Sequence, residues 1–534
     1  MSAILIFNRE RCLACRACEL ACSVAHSESG QLETAIAEEL PPRRRVTIAA
    51  VKDGIEALRC EQCAEPLCAF SCKSGALHRD PISGWIALEE SRCVGCFMCM
   101  MVCPHGIRPD PATDHVVRCD VCRDREIPAC VAACPTGALA TGVPPPRPAP
   151  GDFKGHVVVV GSSAAGIAAC EAAREHAPEC SITLVTADAS PQYSRPLLAY
   201  VLAGRIGRPA IYWPENDLHV RVLHKVAHAL ACQSLLFDDG AALTFDRLIV
   251  ATGARAATLS IPGSGLAGVH ALRDLEDLEA IEKLAAPGRR AVVLGGGNVG
   301  LQTCEALLSR GLAVTVVVKS PYLLSQMVDA EAGRRVADLF MRHGLDVRTG
   351  RDAVEIVGAG HVEAVRLDDG ELIGADLVIV GKGIQPNVEW LRASGVRVNR
   401  GIVVDLCGRT NVPGIFAAGD CAEAIDPLTG RSAVSGIWPV AYEMGRAAGA
   451  AAVGVERPFA GALRMNASRF FGEPIVSIGE VCPERLEGAT AEVLENRDGV
   501  YRKLVHRQGR LAGALLYGDI SGAGTFYRLY REGI

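Results

Sequence analysis

The sequence predicts an α+β metal-binding domain, then two nucleotide-binding α/β folds, then a small C-terminal α+β domain. Three observations carry this reading. Sixteen of the 23 cysteines lie in the first 134 of the 534 residues, in four groups of four. Two strand, glycine-turn, helix units follow about 130 residues apart, an internal duplication of a nucleotide-binding fold. Beyond about residue 455 the apolar residues fall in short runs (Ile475 to Ile478, Tyr501 to His506, Leu511 to Leu516) that read as strands of a smaller domain. A chain of this length exceeds what one hydrophobic core organises.

Lys+Arg 55 against Asp+Glu 61 leaves a net charge of −6 with no long run of either sign, so neither nucleic acid nor an anionic membrane is an expected partner. The apolar run Ile4 to Phe7 is too short for a signal peptide, and no apolar stretch reaches the ~18–20 residues of a membrane span. A cytoplasmic location is expected. In that reducing compartment, dense CxxC cysteines argue for metal ligation over disulfides.

The groups are Cys12, Cys15, Cys18, Cys22; Cys60, Cys63, Cys68, Cys72; Cys93, Cys96, Cys99, Cys103; and Cys119, Cys122, Cys130, Cys134. Thiolate is the natural ligand of iron in sulfide clusters, and four thiolates hold a cubane of four irons. Groups one and three have the compact bacterial ferredoxin spacing, in which three thiolates clasp one cluster and the fourth crosses to a neighbour. Groups two and four widen the second gap. Pro104 and Pro135 follow the last cysteines of groups three and four, while Ser23 and Lys73 stand at that place in the other two. Zinc ribbons also use CxxC pairs, but do not need a fourth cysteine three residues beyond a third, repeated four times. Four [4Fe–4S] clusters are the expectation.

The four groups resemble the four-cluster ferredoxin-like subunits of molybdenum reductases, hydrogenases and carbon monoxide dehydrogenase systems. The stretches Cys18-Glu19-Leu20-Ala21-Cys22 and Cys96-Phe97-Met98-Cys99-Met100-Met101-Val102-Cys103 look most like the carbon monoxide dehydrogenase branch. The resemblance implies that Cys12, Cys15 and Cys18 share a cluster with Cys134, and Cys119, Cys122 and Cys130 with Cys22. The inner clusters would be Cys60, Cys63, Cys68 with Cys103, and Cys93, Cys96, Cys99 with Cys72. Residues 1–150 carry 16 Lys+Arg and 18 Asp+Glu, and each oxidised cluster would add about −2, making this domain acidic. Its one basic run, Arg43 to Arg45, reads as a solvated loop, with partner docking as the sharper option.

The cysteine domain, 1–143, ends in the Pro-rich stretch Pro144 to Pro150, part of a stiff linker over 144–154. Then the strand His156 to Val160 leads into Gly161-Ser162-Ser163-Ala164-Ala165-Gly166, a GxGxxG variant with Ser163 at the middle position. Small residues there admit a pyrophosphate to the helix N-terminus. Asp188 is the nearest acid to the second strand for a ribose hydroxyl.

Tyr193-Ser194-Arg195-Pro196, Ala251-Thr252-Gly253 and Ala418-Gly419-Asp420 resemble the pyridine-nucleotide, FAD-dependent oxidoreductases, particularly the flavin portion of assimilatory nitrite reductase and rubredoxin reductase. That resemblance covers residues 155–534. It implies FAD, with Asp420 on the ribityl chain, Ala251 to Gly253 packed on the cofactor, and Arg195 near the flavin ring.

The second unit has the complete fingerprint Gly295, Gly297, Gly300, in Gly-Gly-Gly-Asn298-Val299-Gly, and is expected to bind NAD(P). Val318 stands where an acid usually meets the NAD ribose. Lys319 follows it and either suits a 2′-phosphate or is simply an exposed strand end, which leaves NAD and NADP both open. The expected boundaries are 155–262 with 385–455 for FAD, 263–384 for NAD(P), and 456–534 for a C-terminal interface domain. The seven remaining cysteines (Cys170, Cys180, Cys232, Cys304, Cys407, Cys421, Cys482) form no CxxC or CxxxxC pair, which argues against disulfide reduction and reads as core packing.

The full expectation is an α+β ferredoxin-like iron–sulfur domain followed by an α/β flavoprotein with two dinucleotide-binding domains and a small C-terminal α+β domain. It would pass electrons between NAD(P) and a partner metalloenzyme, with carbon monoxide dehydrogenase favoured and a tungsten aldehyde oxidoreductase as the alternative. A free-standing NAD(P)H–ferredoxin reductase and a non-catalytic bridging subunit are the other readings. A homo-oligomer is left open. No side-chain acid or base is assigned a catalytic role, because the flavin mediates hydride transfer itself.

Overall fold

The computed structural model describes residues 4–39, 43–51, 54–80, 83–110, 113, 115–143, 151–213, 218–231 and 233–533. Pro144 to Pro150 and Cys232 lie outside the described residues.

The cysteine domain is folded by short antiparallel pairs that separate the cysteine groups. Strand Ile4–Phe7 pairs with Leu139–Gly142, Ile4 opposite Gly142 and Phe7 opposite Leu139. This pairing joins the two ends of the domain and sets group one beside the end of group four. The hairpin Leu77–Arg79 with Ile86–Leu88 does the same for Cys72 and Cys93, which flank it. Between the strands lie short helices, among them Ala17–Ala25, Leu67–Phe70, Met98–Val102 and Ala129–Ala132, each carrying the third cysteine of one group.

Buried β-branched runs build the two nucleotide folds. In the first, five parallel strands lie in the order Arg221–His224, Ser181–Thr186, His156–Val160, Arg247–Val250, Ile415–Ala417. Val157, Val158 and Val159 of the central strand are fully buried, as expected of a strand covered on both faces. The second sheet repeats the plan with Val269–His270, Leu377–Val380, Arg290–Leu294, Ala313–Val318 and Asp346–Thr349. The antiparallel pair Ala254–Ala256 with Ile384–Pro386 ties the two folds together. The C-terminal part is an antiparallel five-stranded sheet (465–517) closed by the helix Ala523–Glu532.

The inner half of the cysteine domain shares one hydrophobic core with the first nucleotide fold, running from Cys72, Phe97, Met100 and Met101 to Val157 and Ala448. Phe70 stacks on Tyr442 at 5.2 Å between ring centres, and the Arg446 guanidinium lies 5.2 Å from the centre of the Phe70 ring. On the opposite flank Gly524 lies so close that a Cβ there would stand 2.1 Å from the Cys103 carbonyl oxygen. The cysteine domain is thereby held between the helix Trp438–Ala452 and the C-terminal helix. Among the described residues, no helix is long and apolar enough to cross a membrane.

Candidate functional site

The sixteen cysteines gather into four sets, each drawing its fourth member from another group. Cys12, Cys15, Cys18 and Cys134 line one small cavity, with Pro135 and Ile48. Cys60, Cys63, Cys68 and Cys103 line a second, with Arg118 and His105. Cys99 and Cys93 feel the charge of Cys96 and Cys72, while Cys130 feels that of Cys119, Cys22 and Cys122, in keeping with two further sets. The sets also follow one another. Cys68 acts on Cys99, Cys60 on Cys119, and Cys18 on Cys130.

Two observations test what these sets fit. A single tetrahedral zinc with Zn–S near ~2.3 Å needs its sulfurs about 3.8 Å apart. Among the described residues the only trio of ligand-type atoms within 4.8 Å of one another is His26, Asp120 and Cys122, so no cysteine set is tight enough for one zinc. Secondly, the residue before the second cysteine of every group is left-handed, Ala14 (φ 54°), Gln62 (φ 52°), Gly95 (φ 60°) and Val121 (φ 60°). Outside glycine this costs about 1–2 kcal/mol a residue, and Val121 is β-branched. Such repeated strain winds each loop inward around a group larger than one ion, which suits an iron–sulfur cubane.

Burial pushes most of these thiols up, Cys18, Cys63 and Cys93 to about 11 and Cys119 to about 12. Cys22 is an exception. Despite burial, His26 Nδ1 at 3.7 Å and the Arg45 amide at 3.1 Å hold its thiol below the ordinary value. Arg118 donates to Cys60 Sγ at 3.1 Å. The basic run is not a solvated loop: Arg43 pairs with Asp110 at 3.4 Å, Arg44 with buried Glu19 at 2.7 Å, and Arg45 with Asp120.

The second site lies where the strands of the first nucleotide fold end. Val160 is in register with Val185 and Val250, and Val250 with Ala417, so Gly161, Thr186, Ala251 and Ala418 converge at the carboxyl edge, the ligand side of such sheets. They open a cavity of about 440 Å³. It is lined by Gly161, Ser163, Ala164, Ala165, Asp188, Arg195, Pro196, Ala251, Thr252, Gly253, Gly419 and Asp420. Gly166 sits below the cavity, where a Cβ would meet the Gly161 carbonyl oxygen at 1.8 Å. Ser163 makes no side-chain bond to the first turn of the helix Ala164–His176, which leaves amide donors for an anion. Asp188 receives Arg195 Nη2 at 2.7 Å, and Asp420 receives Arg273 Nη2 at 2.9 Å. A cavity with small residues over a helix start and two arginine-paired carboxylates in its lining fits FAD.

In the second fold Gly295 (φ 120°) makes the turn after Leu294, and a Cβ there would lie 2.4 Å from the Gly381 carbonyl. Gly297 precedes the helix Asn298–Ser309 without a side-chain cap. Gly300 packs on the Gly295 carbonyl, and Val299 is 52% exposed. Asn298 Oδ1 accepts from Ser468 Oγ at 2.6 Å, so its side chain is engaged with the C-terminal sheet. Val318 is buried at its strand end. Lys319 is exposed, 3.4 Å from Asp352. The described spare cysteines Cys170, Cys180, Cys304, Cys407, Cys421 and Cys482 are buried and unbridged.

Sequence reasoning missed Arg273, Asn387 and Trp438. Arg273 donates to Asp420 and to the Ala254 carbonyl at 3.0 Å, and Asn387 exchanges hydrogen bonds with Thr252. Each lies more than 130 residues from its partner in at least one of these bonds, with no motif to mark it. Trp438 lines the cavity and stacks on Trp213 at 5.6 Å with only 3° between the rings. Among the described residues neither buried indole N–H has a partner. Tyr212, next to Trp213, accepts Arg92 Nη2 on its carbonyl at 2.8 Å, and Arg92 precedes Cys93. The flavin cavity and the Cys93 set thus meet across a few side chains. Lys73, beside Cys72, reaches Tyr200 at the same junction; burial would discharge it, but Tyr200, Cys96 and Cys72 outweigh that and hold its pKa above the ordinary lysine value.

Residues 155–445 match the pyridine nucleotide-disulphide oxidoreductase family, 52–144 the 4Fe-4S dicluster domain, and 465–534 the rubredoxin NAD+ reductase C-terminal domain. The chain is 31% identical over 388 residues to nitrite reductase [NAD(P)H] of Bacillus subtilis, covering 71% of this chain and 47% of that protein. The chain therefore spans about half the length of that relative. It is 32% identical over 385 residues to the NADH-dependent phenylglyoxylate dehydrogenase subunit epsilon of Aromatoleum evansii, covering 70% of this chain and 90% of that one. The covalent putidaredoxin reductase–putidaredoxin complex superposes with a TM-score of 0.67 at 26% identity, over 72% of this chain and 94% of that one. The chain belongs to the pyridine nucleotide-disulphide oxidoreductase family, with a 4Fe-4S domain before its flavin fold and a rubredoxin reductase type C-terminal domain behind it.

Proposed function

We propose that the protein is an electron-transfer oxidoreductase that connects NAD(P) to a partner metalloenzyme through FAD and four [4Fe–4S] clusters. The observation that carries this reading is the shared core of the inner cysteine sets and the flavin fold, which packs the two domains against one another. When bound, the flavin converts between a hydride pair and single electrons, and each cluster carries one.

The chain's own residues hold and order these groups. Gly161, Ser163, Ala164, Ala165 and Gly166 admit the FAD pyrophosphate to the helix N-terminus. Asp188 takes a ribose hydroxyl, Asp420 with Arg273 the ribityl chain, and Ala251, Thr252 and Gly253 pack on the cofactor beside Arg195 and Pro196. Gly295, Gly297, Asn298, Val299 and Gly300 receive the nicotinamide nucleotide. From the flavin outward the cysteine sets run Cys72 with 93, 96 and 99; Cys103 with 60, 63 and 68; Cys22 with 119, 122 and 130; and Cys134 with 12, 15 and 18. Cys15 at the far end is exposed, which suits hand-over to another protein.

The partner is a low-potential metalloenzyme, carbon monoxide dehydrogenase first and a tungsten aldehyde oxidoreductase second. A relative named as subunit epsilon of a dehydrogenase supports an accessory role. Anaerobic copurification followed by identification of the associated protein tests this, with a metalloenzyme expected and no stable associate contradicting it. Good turnover with ferredoxin in the absence of an associate would favour a free-standing ferredoxin reductase, a reading supported by the likeness to putidaredoxin reductase. Lys319 orients a 2′-phosphate. Lys319→Ala should raise KM for NADPH several-fold and leave that for NADH unchanged in steady-state kinetics; equal effects, or a wild-type preference for NADH above about tenfold, contradict it.

A further inference from the structure

Lys73 occupies the place where groups three and four carry Pro104 and Pro135. Its side chain is buried, 8% exposed. Nζ donates to Tyr200 Oη at 3.3 Å and lies 4.6 Å from that ring's centre. Tyr200 stands on the short helix Leu198–Leu202, which begins two residues after Pro196 in the wall of the FAD cavity. Lys73 follows directly on Cys72, so the set that Cys93, Cys96 and Cys99 complete is the thiolate centre adjoining it in the chain. A buried ammonium on a phenol alone costs several kcal/mol. It needs an anion, and a cluster with four thiolates, at about −2, supplies one.

We propose that the Lys73 ammonium, clamped by Tyr200, is the built-in counter-charge of the cluster held by Cys72, Cys93, Cys96 and Cys99, and raises that cluster's reduction potential where electrons cross to the flavin fold. This rests on the reading above. Adding one electron to the cluster makes it more negative, with no bond formed or broken, so a fixed positive neighbour favours the reduced form more than the oxidised one. Lys73 is a positioning residue here, acting through charge on a centre that others ligate.

The test is a potentiometric EPR titration of the FAD-loaded, cluster-loaded protein. Lys73→Met should lower one midpoint by at least a tenfold change in reduced fraction, 59 mV for a one-electron couple, leave the other three in place, and retain iron and FAD. Lys73→Arg should restore it, and Cys96→Ser should erase the same signal. If Lys73→Met loses iron, Tyr200→Phe carries the test, because it removes only the hydroxyl and should move the same midpoint down by less. Four full-strength signals unmoved by Lys73→Met, or unmoved by Tyr200→Phe in that second case, overturn the inference alone. Fewer than four reducible centres in the wild type overturns it together with the four-cluster reading.

Discussion

Gly161→Val should give a protein that retains its iron and carries no FAD. Gly161 has φ 116°, and any Cβ would stand 2.1 Å from the Ala251 carbonyl oxygen and 2.6 Å from its carbon. Those are backbone atoms at the end of the strand Arg247–Val250, so they cannot swing aside as a side chain could. A β-branched residue adds conformational strain to the clash, and relief comes by pushing Ala251 to Gly253 into the cavity. The loss of affinity should exceed about 100-fold, because backbone strain and a blocked site act together. Gly253→Ala is the contrast. Its φ of 63° is strained for alanine, yet a Cβ there meets nothing within 4 Å, so a cost of about 1–2 kcal/mol is expected. The ratio of flavin absorbance to protein, with iron measured in parallel, distinguishes the two.

Cys134→Ser should remove the cluster of Cys12, Cys15 and Cys18 and leave that of Cys119, Cys122 and Cys130, although Cys134 belongs to group four by sequence. The reason is the strand pair Ile4–Phe7 with Leu139–Gly142, which brings the two ends of the domain together. Cys22→Ser should do the converse. Iron should fall from about sixteen atoms to about twelve in each variant, with a different EPR signal missing. Cys134→Ser and Cys119→Ser should therefore erase different signals; loss of the same signal in both would place Cys134 with its sequence neighbours.

What could be read from the sequence was what local chain geometry dictates. Cysteine spacing marks cluster loops, and a strand followed by Gly161 or Gly295 marks a nucleotide turn, because each depends on one short run of consecutive residues, the longest from Cys119 to Cys134. The exchange of fourth cysteines came from family resemblance; the strand pair of Ile4–Phe7 with Leu139–Gly142 and the hairpin of Leu77–Arg79 with Ile86–Leu88 are the physical features that set the exchanging groups side by side. Contacts between distant segments were not legible. Arg273 with Asp420, Trp213 with Trp438, Phe70 with Tyr442 and Lys73 with Tyr200 join residues 127 or more apart in sequence. The run Arg43 to Arg45 misled for the same reason, since Glu19, Asp110 and Asp120 neutralise it from elsewhere in the fold.

The central claim is that nicotinamide nucleotide, flavin and cysteine sets form one electron path. It is tested by reducing the anaerobic protein chemically, removing the reductant, and mixing with NAD+ or NADP+ while following nucleotide reduction and cluster EPR together. The path predicts that cluster signals disappear as reduced nucleotide appears in the FAD-loaded protein, and that both stay unchanged in FAD-free Gly161→Val. Nucleotide reduction that ends with the flavin oxidised and the clusters still reduced would contradict it.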